Sequence, residues 1–266
     1  VPCKCPDGSQ NCDLLPDLTN SERILRLNNI ELPGELRIGV GTPNIGYGPL
    51  DVRGIPECFC GTTPVNCSTT VCPSGLMPTQ KIVQRIYKKE GPAITFYERP
   101  AGFMTFHPTH GHRHVEDWTS NTLRVAGPDP NPSTWPVVGL DTKVSFCLVN
   151  LDNCTANNGA CKNNNGQTIQ YNDVGNPGLG TASGCGTVQG IFPGYLDIYY
   201  PGYNGQNIPL DNNFCNGWYY IVSITDPKNR MKEIDETNNV AVWPILLSQQ
   251  SGNCCQTDFY ADTLDG

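Results

Sequence analysis

The sequence has little charge and few basic residues. Charged residues make up 16% of its 266 positions, against about 25% in an ordinary soluble domain. Lysine and arginine number 17 against 25 acidic residues, so the net charge is −8, and no basic run is longer than Lys88-Lys89. Nucleic acid and anionic membrane surfaces are therefore poor partners for this chain. The same charge favours a cationic substrate, but only weakly.

Long hydrophobic runs are also lacking. The longest apolar stretch, residues 240–247, contains Pro244 and is far shorter than the ~18 residues that a transmembrane helix needs. We therefore expect no membrane span. The chain begins Val-Pro-Cys, without a basic and then apolar leader, so we expect a secreted product whose signal peptide has been removed.

Cysteine, glycine and proline, by contrast, are plentiful, at 14, 28 and 23 residues. An even number of cysteines at this density indicates disulfides, an oxidising compartment and hence an extracellular protein. The C-x-C spacings of Cys3 with Cys5 and of Cys58 with Cys60 differ from the paired C-x2-C of a zinc knuckle. Seven cysteines within the first 72 residues predict a separately stapled N-terminal part.

Short β-like runs separated by Gly and Pro predict an all-β protein with few helices. The predicted strands are 36–40, 81–87, 93–97, two within 103–125, 142–150, 195–200, 218–225 and 240–247. Residues 41–80 and 150–190 read as loops. We expect one domain, 1–266, with a sandwich-like core of short strands and long disulfide-stapled loops. Its parts are a Cys-rich arm with loops (1–80), the β core (81–247) and a tail (248–266).

All four histidines of the chain fall between positions 107 and 114. In an extended segment, His110, His112 and His114 project from the same face. Three imidazoles on one face suit Cu(II), Zn or Ni, and relative affinity favours copper. His107 lies beyond Pro108 at an odd spacing and is a further candidate nearby. The alternative is a solvated histidine-rich strand.

A second cluster, near the end of the predicted core, offers only oxygen ligands. It consists of Glu233, Asp235, Asn238 and Asn239. Hard oxygen ligands suit Ca²⁺. The alternative is an ordinary acidic turn before the last strand.

The histidine run resembles the copper-binding segment of the lysyl oxidase family. Three further segments resemble that family's motifs in the same order: Lys-Val-Ser-Phe-Cys-Leu at 143–148, Pro-Gly-Tyr-Leu-Asp-Ile-Tyr at 193–199 and Glu-Ile-Asp-Glu-Thr-Asn-Asn-Val at 233–240. The Asp-Leu-Leu-Pro-Asp at 13–17 is similar to the family's N-terminal Asp-Leu-Val-Pro-Asp. Together these motifs span nearly the whole chain.

The resemblance implies a secreted copper amine oxidase that converts peptidyl lysine or small primary amines to aldehydes with O2. It implies a lysine tyrosylquinone cofactor made from Lys143 and Tyr199, with copper on the histidines at 110, 112 and 114. A precursor could carry Zn²⁺ on the same imidazoles. Asp197, two residues before Tyr199, is a hypothetical orienting group or general base.

The resemblance also implies a structural calcium ion on the oxygen cluster. The N-terminal ligands would be the Asp13 carboxylate and the Leu14 carbonyl, or Asp17 and Leu18 in a competing register. Two disulfides, Cys147–Cys154 and Cys185–Cys215, are hypothetical pairs.

This sequence also departs from the animal enzymes of the family. Thr109 stands where they carry a cysteine between the first two histidines, and the loop at 150–184 differs. We therefore do not expect collagen or elastin as substrate. Two other functions remain: an extracellular copper- or zinc-binding protein without quinone activity, and a superoxide-handling copper protein.

Overall fold

The computed structural model describes residues 3–180, 184–203 and 205–252. Regular structure in these residues is almost entirely β, which confirms the predicted all-β class. The one α-helix within these residues, α1 (Glu22–Leu27), begins after Ser21, whose hydroxyl accepts the Ile24 N–H. Two short 3-10 helices cover Pro132–Thr134 and Tyr171–Asp173. Among the described residues, no helix is long and apolar enough to cross a membrane.

The strands are β1 (Asn11–Leu14), β2 (Asn29–Leu32), β3 (Glu35–Ile38), β4 (Val40–Pro43), β5 (Leu50–Cys60), β6 (Thr63–Val65), β7 (Thr79–Glu90), β8 (Ala93–His107), β9 (His112–Val115), β10 (Thr119–Arg124), β11 (Val137–Leu140), β12 (Asp152–Asn153), β13 (Val188–Ile191), β14 (Tyr195–Tyr199), β15 (Asn207–Pro209), β16 (Gly217–Thr225) and β17 (Val240–Leu247).

Antiparallel pairing joins these strands into four sheets. A seven-stranded sheet has the order β13-β5-β7-β8-β9, with β1 added to β7 and β6 to β5. A four-stranded sheet has the order β11-β10-β16-β17, and two three-stranded sheets have the orders β12-β14-β4 and β15-β3-β2. The main core includes Trp118 and Phe146, both almost fully buried. The strands predicted at 195–200, 218–225 and 240–247 are confirmed, as is the hairpin that turns at Gly91 and Pro92.

Two predictions of local structure are wrong. Residues 41–80 are not mainly loops, because they contain β4, β5 and β6. The register of β5 against β7 shifts between Gly54 and Cys58, and this irregularity accommodates Pro56, which cannot donate to a ladder. Residues 142–150 form no strand: only Phe146 makes a bridge, to Val115.

Five disulfides connect described residues, as the cysteine density predicted. They are Cys5–Cys12, Cys58–Cys67, Cys60–Cys72, Cys147–Cys185 and Cys154–Cys161. The hypothetical pairs Cys147–Cys154 and Cys185–Cys215 are both wrong. Cys154 closes a short local loop with Cys161, which leaves Cys147 to bond across the fold to Cys185. Cys215 is disulfide-bonded elsewhere, and residues 253–266 of the predicted tail lie outside the described residues.

Candidate metal centre and adjoining cavity

The histidines meet at the turn that joins β8 to β9. His112 and His114 share one face of β9, as the two-residue spacing predicts. His110 is not on that strand: it lies in the preceding turn, where its N–H bonds to the His107 carbonyl at 3.1 Å. Gly111 has φ +71°, a conformation that favours glycine. The turn therefore places the His110 ring next to the rings of His112 and His114, although His110 is not on their strand.

Two of the three separations between the ring nitrogens fit ligands around one ion. Nε2 of His114 lies 3.2 Å from Nδ1 of His110 and 3.0 Å from Nε2 of His112, and the triad's ligand atoms all lie within 4.8 Å of one another. Nitrogens bound to one Zn or Cu ion at about 2.0–2.1 Å, with angles of roughly 90–110°, lie about 2.9–3.4 Å apart. The two short separations fit this range.

Burial lowers the pKa of all three imidazoles, and the Lys143 ammonium lowers it further. The pKa of His114, which is only 2% exposed, falls to about 2. These rings are therefore neutral at neutral pH, as metal ligation requires.

The fourth histidine, His107, packs against one ring of the triad. The His107 ring stacks on the His114 ring with centroids 4.1 Å apart. Ser145, 7% exposed, places its Oγ 3.4 Å from both Nδ1 of His114 and Nε2 of His107. If His114 donates to Ser145 and Ser145 donates to His107, then Nε2 of His114 keeps its lone pair for a metal.

We expect Ser145→Ala to weaken metal binding by about 10-fold, because outer hydrogen bonds fix the tautomer and orientation of a ligating histidine. Ser145→Thr keeps the hydroxyl and is the matched control. Competition against a chromophoric chelator measures the affinity, and thermal unfolding of the metal-free protein checks the fold. Equal affinities for the alanine variant and the unaltered protein would contradict this role.

The triad forms part of the wall of a cavity of about 530 Å³. Lys143 and Tyr199 line the same cavity, although each comes from a separate segment of the chain. The rest of the described lining is Cys147, Val149, Leu151, Cys185, Gly202 and Tyr203. The structure thus brings five of the predicted site residues together at one cavity.

A buried carboxylate holds the turn that carries Lys143. Asp141, 2% exposed, accepts the Lys143 N–H at 3.0 Å and the Asn121 side-chain amide at 2.9 Å. The Lys143 ammonium lies 5.1 Å from the centre of the Phe146 ring. Burial lowers the pKa of Lys143, and the negative charge of Asp141 partly offsets that effect. Neutral amine is therefore more accessible here than on a surface lysine.

Burial raises the pKa of Asp141 from 3.8 to about 6. The folded state then holds a proton that the unfolded chain has released, so stability should fall as pH rises from about 4 to 6, by at most about 3 kcal/mol. Asp141→Asn removes this loss. We expect its unfolding free energy, measured with urea from pH 4 to pH 7, to rise relative to that of the unaltered protein. A difference that stays constant with pH would contradict the shift.

Tyr199 lies on β14 and points to the segment that follows Lys143. Its ring packs edge-on against Phe146, with centroids 4.7 Å apart, and its hydroxyl donates to the Cys147 carbonyl. Burial raises the pKa of the phenol, and the neighbouring Asp197 raises it further. Phe146 therefore contacts the Tyr199 ring on one side and lies near the Lys143 ammonium as well.

Asp197 is 2% exposed and does not line the cavity. Neither carboxyl oxygen makes a hydrogen bond of good geometry to a described group, although backbone N–H groups of Val149 and Ile198 lie close. Burial holds the pKa of Asp197 well above its usual range. A carboxyl that is buried and does not line the cavity suits an orienting group better than a base.

The oxygen cluster meets the N-terminal arm at residues 17 and 18. Glu233 accepts the Leu18 N–H at 2.6 Å and the Asn239 amide at 2.9 Å, and Asn238 donates to Asp17 at 2.8 Å. Burial raises the pKa of Glu233 to about 9. The side-chain oxygens of both asparagines have no hydrogen-bond partner within the described part of the chain.

The other predicted calcium ligands are Asp235, Asp13 and Leu14, and they do not join this contact between Glu233, Asn238 and residues 17–18. Asp235 accepts the Asn164 amide at 2.5 Å. Asp13 and Leu14 are on β1, which pairs with β7. The Asp13 carboxylate is engaged by Lys232 at 3.0 Å and by the Tyr97 hydroxyl at 2.8 Å. The competing register, Asp17 and Leu18, is the one in contact with the cluster.

Sequence reasoning missed several residues that shape this site. Ser145 and Asp141 flank Lys143 in the sequence, but only the folded segment shows what they contact. The Cys147–Cys185 disulfide links Cys147, whose carbonyl accepts the Tyr199 hydroxyl, to β9, because the Cys185 carbonyl accepts the Arg113 N–H at 3.0 Å. A scan against protein-family models finds none that matches this chain, and a search of curated proteins finds no match either.

Proposed function

We propose that this protein is a secreted copper amine oxidase that resembles lysyl oxidases. One observation carries the proposal: the three histidines of the triad, Lys143 and Tyr199 all line one cavity. A binding protein needs only the imidazoles. A half-buried lysine of lowered pKa and a half-buried tyrosine at the same cavity are the two groups from which a lysine tyrosylquinone is built.

The overall reaction would convert a primary amine RCH2NH2, O2 and water into the aldehyde RCHO, ammonia and H2O2. Protein side chains do not perform this oxidation unaided, so a cofactor must supply the electron acceptor. Copper on the triad would supply redox chemistry for forming the quinone, and the quinone would accept the electrons of the substrate amine.

The chain's own residues would position these groups. His110 offers Nδ1, whereas His112 and His114 offer Nε2. Asp141 holds the backbone of Lys143, and the lowered pKa of that lysine favours the neutral amine needed to bond to carbon.

A structural calcium ion is the second part of the proposal. The donors would be Asp17, Leu18, Glu233 and the asparagines at 238 and 239, with Asp235 beside them. The unpartnered asparagine oxygens and the buried Glu233 fit a hard cation. Because these groups join the N-terminal arm to the loop before β17, calcium would stabilise that junction.

The proposal is tested by peptide mapping with mass spectrometry after exposure to copper and O2. We expect a linked species that contains Lys143 and Tyr199, and labelling of the same species by phenylhydrazine. Both peptides free in a copper-loaded sample, with no amine turnover, would favour the alternative of a copper- or zinc-binding protein. Superoxide turnover without amine turnover would favour the alternative of a superoxide-handling copper protein.

We expect Asp197→Asn to lower kcat for amine oxidation by up to about 100-fold, which is what misplacing a reacting group by about 1 Å can cost. The substitution is isosteric, so copper content and the melting temperature should change little. Steady-state kinetics across pH gives the readout. Full turnover with an unaltered pH profile would end any role for Asp197 as base or orienting group.

A further inference from the structure

The entrance of the cavity is apolar. Leu151 and Tyr203 are 54% and 53% exposed, and both line the cavity together with Val149 and the Cys147–Cys185 disulfide. The Tyr203 ring stands edge-on to the Tyr199 ring, with centroids 6.1 Å apart. A substrate that reaches Tyr199 must therefore lay its carbon chain against aliphatic and aromatic surface.

No described residue of the cavity lining carries a carboxylate. The two acidic groups nearest in sequence to its reactive residues, Asp141 and Asp197, are each 2% exposed and absent from the lining. The charges that do face the cavity belong to Lys143 and to any metal on the histidines. Acidic residues elsewhere act through solvent and are screened over about 8 Å at physiological salt.

From this arrangement, and resting on the proposed oxidase function, we infer the substrate class: primary amines whose remaining body is uncharged and apolar, such as alkyl or arylalkyl monoamines. A second ammonium on the substrate would lie against the apolar entrance without a counter-ion, and burying an unpaired charge is unfavourable. The apolar chain of a monoamine gains from the same surface. Lysine side chains flanked by apolar residues fit this class, and lysines within basic stretches do not.

The test compares n-hexylamine with 1,6-diaminohexane, which have the same chain and differ in one terminal ammonium. We expect kcat/KM for hexylamine to exceed that for the diamine by at least about 10-fold, although the diamine offers two oxidisable ends. Leu151→Glu should narrow or reverse this ratio by supplying the missing counter-ion. Leu151→Gln has the same shape as Leu151→Glu but no charge. In this variant kcat/KM should remain higher for hexylamine than for the diamine.

A binding measurement gives a second readout without turnover. In the copper-loaded Tyr199→Phe variant, calorimetry should show tighter binding of hexylamine than of the diamine. Oxidation of both amines at equal kcat/KM, or a preference for the diamine, would overturn the inference and leave the proposed function intact. Absence of oxidation of either amine by a copper-loaded sample would overturn both.

Discussion

Tyr199→Phe should leave a folded, copper-binding protein with no detectable amine oxidation. Without the phenol oxygen no quinone can form, and the loss should approach the full rate enhancement of such an enzyme, at least about 10⁶-fold. Lys143→Arg should give the same phenotype, because a guanidinium stays protonated and cannot supply the neutral amine. H2O2 release on addition of amine measures activity, and phenylhydrazine labelling measures the quinone.

Two neighbouring tyrosines provide matched controls. Tyr200 is 45% exposed and does not line the cavity, and Tyr195 packs on the Tyr171 ring instead. Their Phe variants should keep activity within a few-fold of the unaltered protein. The Tyr199 variant loses one hydrogen bond, to the Cys147 carbonyl, so its stability should fall by only about 1 kcal/mol. Amine turnover in the Tyr199 variant would exclude the proposed cofactor.

The fold class could be predicted because its signals are local. Gly and Pro mark turns, and short β-branched or aromatic runs mark strands, so β8, β14, β16 and β17 were found. The strand pattern misled at residues 142–150 because burial there does not alternate. Val144 is 38% exposed, whereas Ser145 and Phe146 are both buried, and these backbone groups bond to the chain near Val115 and Trp118 instead of forming a ladder.

The three histidines that could hold a metal ion were predictable to the residue because they lie close in sequence, but their geometry was not. Two-residue spacing placed the three histidines on one strand, whereas the structure brings His110 in from a turn at Gly111. Disulfide partners depend on which loops meet in space, so the hypothetical pair Cys147–Cys154 was wrong. The same holds for Asp141, whose contact with Asn121 connects residues far apart in the chain.

Metal binding should depend most strongly on His114. Its Nε2 lies within 3.2 Å of the ligand nitrogens of both His110 and His112, and its ring is the most buried of the triad. His114→Ala removes this central donor and also the surface on which His107 stacks. We expect copper affinity to fall by more than the about 10–100-fold that loss of an outer-shell partner costs.

His107→Gln separates ligation from packing, because His107 touches His114 and Ser145 but lies outside the group of three ligand atoms. This variant should lose about 10-fold in affinity and keep an electron paramagnetic resonance spectrum with three coordinating nitrogens, whereas His114→Ala should lose that spectrum. If His107→Gln were the more damaging of the two, His107 would be a ligand, and the coordination inferred from the ring spacing would be wrong. If neither variant changed the affinity, copper would bind elsewhere, and the amine oxidase proposal would lose its metal.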